Sequence, residues 1–221
     1  MVKAVIFDMD GLLIDSEPLW QEAETLVFSK VGIALTPEKM IKTMGLRVDE
    51  VVQYWYSRQP WEGVTQEQVK ADIVNNVISL IRLKGKAMPG VQNTITLFKK
   101  RNLPMAIASS SLTEIINAVL EKIDIRKDLK TIYSAEHESY GKPHPGVYIT
   151  TAEKLGVAPE HCLAIEDSPN GVLSAKAARM KCIAIPDHHS SSDPRIQIAD
   201  LVVSSLEALS EKDLLLLDSK S

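Results

Sequence analysis

Residues 2–7, VKAVIF, form a nearly unbroken apolar run that stops at Asp8, Met9, Asp10 and Gly11. A short run without polar alternation suits a strand buried on both faces, which places it centrally in a sheet covered by helices. Comparable segments follow at Met105 to Ala108, Thr131 to Ser134, Cys162 to Ile165, Cys182 to Ile185 and Leu201 to Val203. Helical patterns alternate with them, the signature of an α/β fold around a parallel sheet.

Cap residues mark several of the helices. Ser111 followed by Glu114 has the form of a capping box, with Leu112, Ile115, Ile116, Val119 and Ile123 as an apolar stripe behind it. Pro145 can open a further helix that Gly156 ends, and Ser168-Pro169 reads as N-cap and first residue of another. Gly171, Ala175 and Ala178 are small enough to let that last helix approach the sheet closely.

Between about Ser16 and Lys86 the strand pattern disappears. Leu19, Ala23, Leu26 and Val27 share one helix face there, and Val51, Val52, Trp55 and Tyr56 cluster in a second helix. Thr65 with Gln68 caps a third, which carries Val69, Ile73, Val77 and Leu80, while RQPWEG (58–63) reads as a loop. The expected organisation is a helical unit, 16–86, inserted into an α/β unit made of 1–15 and 87–221. An insertion this early lies over the carboxyl end of the first strand, where open α/β sheets bind ligands.

Composition narrows the partners. Net charge is −4, from 25 basic and 29 acidic residues mixed along the chain, and no basic stripe invites nucleic acid. Apolar runs fall far short of the ~20 residues of a membrane span, and the N-terminus enters a strand pattern at once, so a cytoplasmic protein with no membrane partner is expected. Cys162 and Cys182 sit in apolar segments and read as buried strand thiols. No long exposed apolar pattern asks for a second copy, and a monomer is expected.

Four segments can carry chemistry. In FDMDG, Asp8 and Asp10 are two apart at the end of an apolar strand, so both carboxylates can face one site. Such a pair is stable around a divalent cation, or with one member protonated. Glu166 and Asp167 also end an apolar segment, with a helix start behind them. In a parallel sheet those two strand ends share an edge, and an oxygen-rich set of this kind suits Mg²⁺. In ASSS, Ser109 ends a strand just before a helix, where hydroxyl and free amides suit an anion; N-capping explains Ser111. In YGKPHP, Lys142 is a strand-end cation held beside proline, placed to balance carboxylates and a phosphate. An isolated instance of any of these is ordinarily a cap or a solvated side chain.

All four in this order resemble the haloacid-dehalogenase-like phosphohydrolase superfamily, and the helical insert resembles the cap of its β-phosphoglucomutase-like branch. The resemblance spans Val2 to about Val203. It implies a Rossmann-like three-layer core with a parallel sheet and an inserted α-helical cap domain. It implies Asp8 as a nucleophile that becomes an aspartyl phosphate and Asp10 as general acid and base. Ser109, Ser110 and Lys142, with Asp8, would hold the phosphoryl group. Mg²⁺ would be bound by Asp8, Asp10 (through its backbone carbonyl), Asp167 and neighbouring Glu166.

Glu17, Trp20, Gly45 and Arg47 are the residues expected at the cap side of the cleft, toward the substrate. Mutases of this branch carry histidine where this chain has Trp20, a departure that favours a phosphatase; Trp20 can equally be a packing residue beside Leu19 and Ala23. The expected reaction is Mg²⁺-dependent hydrolysis of a small phosphorylated sugar or polyol such as a hexose 6-phosphate, its 2-deoxy analogue or a hexitol phosphate. A β-phosphoglucomutase-type mutase is the alternative, and a non-catalytic phosphate-binding module a more distant one.

Overall fold

The computed structural model describes residues 1–187 and 190–219 of the 221-residue chain. Six parallel strands form one sheet: β1 (Ala4–Phe7), β2 (Met105–Ser109), β3 (Thr131–Ser134), β4 (Cys162–Glu166), β5 (Lys181–Ala184) and β6 (Leu201–Val202). Their order is β3-β2-β1-β4-β5-β6. The chain thus builds outward from β1 in one direction, then returns to lay β4 on its other side. In open α/β sheets a ligand crevice forms where the strand order reverses, here outside the carboxyl ends of β1 and β4.

Period-two alternation divides the strands between two cores. Ala4, Ile6, Ala106, Ala108, Ala164, Cys182 and Ala184 face one way. They meet α7 (Gly146–Leu155) and α8 (Pro169–Ala177), whose Ala152 and Ala175 keep that layer thin. Val5, Phe7, Ile107, Leu163, Ile165 and Ile183 face the other way, into the larger core. That side is covered by α5 (Val91–Lys100), α6 (Thr113–Ile123) and α9 (Glu211–Ser219). Phe98 of α5 meets Phe7 edge to face at 5.8 Å, a favoured aromatic geometry. Every β1 side chain is fully buried, as its apolar run requires.

Between β1 and β2 lie α1 (Glu17–Lys30), α2 (Pro37–Met40), α3 (Val48–Arg58) and α4 (Gln66–Lys84), with no strand of the sheet. The chain leaves and re-enters the sheet region through two adjacent segments. Asp15 N–H donates to Lys86 O at 2.9 Å and Met88 N–H to Leu13 O at 3.0 Å, with an antiparallel bridge between Ile14 and Ala87. The helical segment is therefore joined to the sheet by a two-stranded connection at 13–15 and 86–88.

Three local expectations need correction. Ser111 does not cap α6, which starts at Thr113 after an uncapped Leu112; its hydroxyl is drawn instead to Asp10. Leu26 is 47 % exposed, because Leu19, Ala23, Val27 and Phe28 already fill the inward face of α1. Segment 58–63 begins inside α3 and is not a solvated loop throughout. Trp61 is buried, stacked edge-on against Phe28 and Tyr56. The Thr65/Gln68 box, the Gly156 cap and the Ser168 N-cap take the forms the sequence implies.

Candidate active site

Asp8 is held at the crevice by the ladder itself: its N–H donates to Ile165 O at 2.9 Å, one residue past the end of β1. Its Oδ1 accepts from Lys142 Nζ at 2.6 Å. The same ammonium donates to Glu166 Oε1 at 2.7 Å and to Ala108 O at 3.1 Å. One buried cation thus ties together the carboxyl ends of β1, β2 and β4. Burial alone would lower the Lys142 pKa, but Asp8 and Glu166 outweigh it and raise it, so the amine stays charged.

Glu166 is fully buried and its lone pairs are occupied. Oε1 also accepts from Tyr148 Oη at 2.6 Å. Oε2 accepts from Asp167 N at 3.2 Å and from Ser168 N and Oγ at 3.4 and 3.2 Å. Gly171, in the first turn of α8, makes room for it: a Cβ there would fall 1.9 Å from the Glu166 carboxyl. Gly11 plays the same part for Asp167. It sits at φ +75°, and a Cβ would meet Asp167 Oδ2 at 2.3 Å.

Carboxylate oxygens of Asp8, Glu166 and Asp167 lie within 4.8 Å of one another. One lysine does not neutralise three carboxylates. Burial pushes the Asp8 carboxyl up to about 7, with Glu166 and Asp10 adding to the shift and Lys142 opposing it. Burial, then Asp8 and Glu166, raise Asp167 well above the usual carboxylate range. A closely packed all-oxygen set carrying this excess of negative charge fits a hard divalent cation such as Mg²⁺. Because Glu166 is saturated by the chain, the oxygens left free for a cation are those of Asp8 and Asp167. Glu166 orients its neighbours from behind.

The Asp10 carboxylate lies outside that group and faces α1 and the β2–α6 turn. Oδ1 accepts from Ser16 Oγ at 2.6 Å and Trp20 Nε1 at 3.0 Å; Oδ2 accepts from Ser111 Oγ at 2.7 Å. Trp20 both packs its ring on the apolar core and lines the cavity, as the two expectations had it, and its indole also orients the Asp10 carboxylate, which neither included. Ser109 Oγ accepts from Ser111 N at 3.0 Å. The hydroxyl of Ser110 is buried without a partner among the described residues.

These groups line one end of a cavity of about 520 Å³. Asp8, Asp10, Ser109, Ser110, Lys142 and Asp167 form that end, while Glu17, Trp20 and Gly45 come from the helical segment. Arg47 is set apart. Its Nη1 donates to Ala135 O at 3.1 Å and Glu138 O at 2.9 Å, and its Nη2 pairs with Asp49 at 2.5 Å, so it joins helical segment to sheet outside the cavity lining. Ser16, Tyr148 and Glu24 escaped the sequence reading. Glu24 follows Glu17 and Trp20 at helical spacing, a pattern that could have identified it. Tyr148 lies on the buried stripe of α7, and a buried tyrosine needs a hydroxyl partner.

The family model for haloacid dehalogenase-like hydrolases matches residues 5–185. Hexitol phosphatase B of Escherichia coli (strain K12) is 44% identical over 215 residues, covering 97% of each chain. The segments DMDGLLIDSEPLW and WYSRQPWEG resemble that same protein. A phosphorylated carbohydrates phosphatase of Thermotoga maritima is 30% identical over 82% of this chain and 84% of its own. In fold, β-phosphoglucomutase from Clostridium difficile superposes with a TM-score of 0.86 at 23% identity, covering 100% of this chain and 98% of that one. A carboxylate at the β1 end bound to a buried lysine, an acidic pair closing β4, and a family match across most of the chain agree: the protein belongs to the haloacid dehalogenase-like hydrolase family and is a phosphatase.

Proposed function

We propose that this phosphatase is Mg²⁺-dependent and hydrolyses small sugar or polyol phosphates through an aspartyl phosphate on Asp8, with 16–86 acting as a cap over the core. The observation that carries the reading is the contact of Asp8 with Lys142 at 2.6 Å, at the floor of a cavity large enough for a phosphorylated hexose or hexitol. Likeness to a hexitol phosphatase and to a phosphorylated carbohydrates phosphatase supports the substrate class.

In the first step a carboxylate oxygen of Asp8 attacks phosphorus while the bond from phosphorus to the ester oxygen breaks. Lys142 and Ser109 bind the phosphoryl oxygens, and the Lys142 charge offsets their repulsion by the nucleophile. Asp10, in its protonated form, gives its proton to the departing alkoxide. In the second step it takes a proton from the water that attacks the acyl phosphate, releasing orthophosphate and free Asp8. Mg²⁺, held by Asp8, Asp167 and the Asp10 backbone carbonyl, would supply further neutralisation of phosphoryl charge. Ser16, Trp20 and Ser111 aim the Asp10 carboxylate.

The test is orthophosphate release from hexose 6-phosphates, 2-deoxyglucose 6-phosphate and hexitol phosphates, with Mg²⁺ and with chelator. Release that needs Mg²⁺, needs no bisphosphate activator and vanishes in Asp8→Asn is the expected result. Activity only with such an activator would favour a mutase instead, and equal activity in Asp8→Asn would overturn the aspartyl-phosphate route.

A further inference from the structure

One face of α1 forms the wall of the cavity nearest the Asp10 carboxylate. Glu17, Trp20, Gln21 and Glu24 recur there at helical spacing and all line the cavity. Trp20 fixes the register of this face by its contact with Asp10 at 3.0 Å. Glu24 sits one turn further on, about 6 Å along the helix axis. Its carboxyl is half-buried and makes no hydrogen bond or ion pair among the described residues. A polar group left without a partner in a substrate cavity is placed to receive one from the substrate.

Charge distribution says what kind of substrate group that is. The basic side chains lining the cavity, among the described residues, are Lys142 and Arg195. Lys142 is engaged by Asp8 and Glu166, and Arg195 by Asp193 at 2.7 Å and Asn170 at 2.7 Å. The helical segment brings no cation to the lining, only the carboxyls of Glu17 and Glu24. A second phosphate, carried at the far end of a substrate, would meet these carboxyls and no unengaged cation among the described lining residues. A chain of hydroxyls can both donate to and accept from these carboxyls. Burial and the nearby Glu17 raise the Glu24 pKa to about 8, so Glu24 keeps a carboxyl proton to donate, and an oxygen to accept, near neutral pH.

Building on the phosphatase reading above, we propose that Glu24 is a specificity-determining residue. It binds hydroxyl groups of the leaving alcohol, and with Glu17 it restricts the cleft to monophosphates whose remote end is uncharged and hydroxyl-rich, rejecting bisphosphates.

Steady-state kinetics with sorbitol 6-phosphate, glucose 1,6-bisphosphate and p-nitrophenyl phosphate test this in the full chain with Mg²⁺. Glu24→Leu should lower the ratio of kcat/KM on sorbitol 6-phosphate to that on p-nitrophenyl phosphate by about tenfold or more, as one lost hydrogen bond to a substrate hydroxyl requires. Glu24→Gln, which keeps donor and acceptor, should restore most of it. Glu24→Lys should raise kcat/KM on glucose 1,6-bisphosphate relative to sorbitol 6-phosphate by about tenfold. A purely structural role for Glu24 would move all three substrates together. Ratios unchanged in both Leu and Lys variants, or a wild-type chain that accepts bisphosphate as readily as monophosphate, would overturn the inference. Absence of orthophosphate release from all three substrates by the wild type would instead overturn the phosphatase reaction itself, so the two failures are distinct.

Discussion

At the scale of single residues, the site is a problem in excess negative charge. Asp8, Glu166 and Asp167 converge on Lys142, and the geometry divides their work. Glu166 is saturated by donors of the chain, whereas Asp8 and Asp167 keep free oxygens. Asp10 stands aside, with three hydrogen bonds directing it. If its contribution is proton transfer, Asp10→Asn should lower kcat by roughly 10²–10⁴ while burst experiments still detect slow phosphorylation of Asp8. A loss of substrate binding with kcat unchanged would contradict that role. The acidic residues at strand ends were legible because Asp and Glu at the close of apolar strands are costly to place there without a task, whereas Lys142, in the loop before α7, stood out only by the prolines beside it. The hydroxyl of Ser111 was misread for the opposite reason: serine before a helical stripe is an ordinary cap, and only its distance to Asp10 revealed another partner.

At the scale of elements, close approach rests on glycine. The N-cap of α8 brings Ser168 Oγ both to Gly171 N and to Glu166, and Gly171 leaves the space that Glu166 fills. Gly171→Ala should force the Glu166 carboxyl to move and disturb Lys142 with it. Turnover should fall on the order of 100-fold, since misplacement by about an ångström has effects of that size. Kinetics of the variant, with circular dichroism showing an intact fold, would check this; full activity would mean that Glu166 can relocate freely. The capping boxes and helix stops at Thr65, Gly156 and Ser168 were readable because they depend on residues three or four apart. Leu26 and Trp61 were not, because burial on α1 and beyond α3 depends on which helix packs opposite.

At the scale of the whole molecule, the helical segment and the sheet share the larger core, and their meeting encloses the cavity. Glu24 belongs to this scale, since enclosure is what shifts it. Its pKa rises from 4.5 to about 8, so the folded chain holds a proton that the unfolded chain releases over that interval. The stability carried by that proton is complete below pH 4.5 and is lost as pH climbs through 8. Comparing thermal unfolding of wild type and Glu24→Gln from about pH 5 to 9, the wild type should lose more of its midpoint, because glutamine does not titrate. Parallel pH curves for the two proteins would show that Glu24 ionises on folding as it does in water.

Periodicity, apolar strand segments and local caps sufficed for the α/β class, the inserted helices and the residues that close the strands, because those properties depend on neighbours within a few positions. Sheet order, the crevice between β1 and β4, the turn of Arg47 toward Ala135 and Glu138, and the meeting of Trp20 with Asp10 belong to the folded chain alone. Each is a contact whose partner is chosen by packing and charge balance across layers, and no spacing along the chain encodes which surface will arrive opposite.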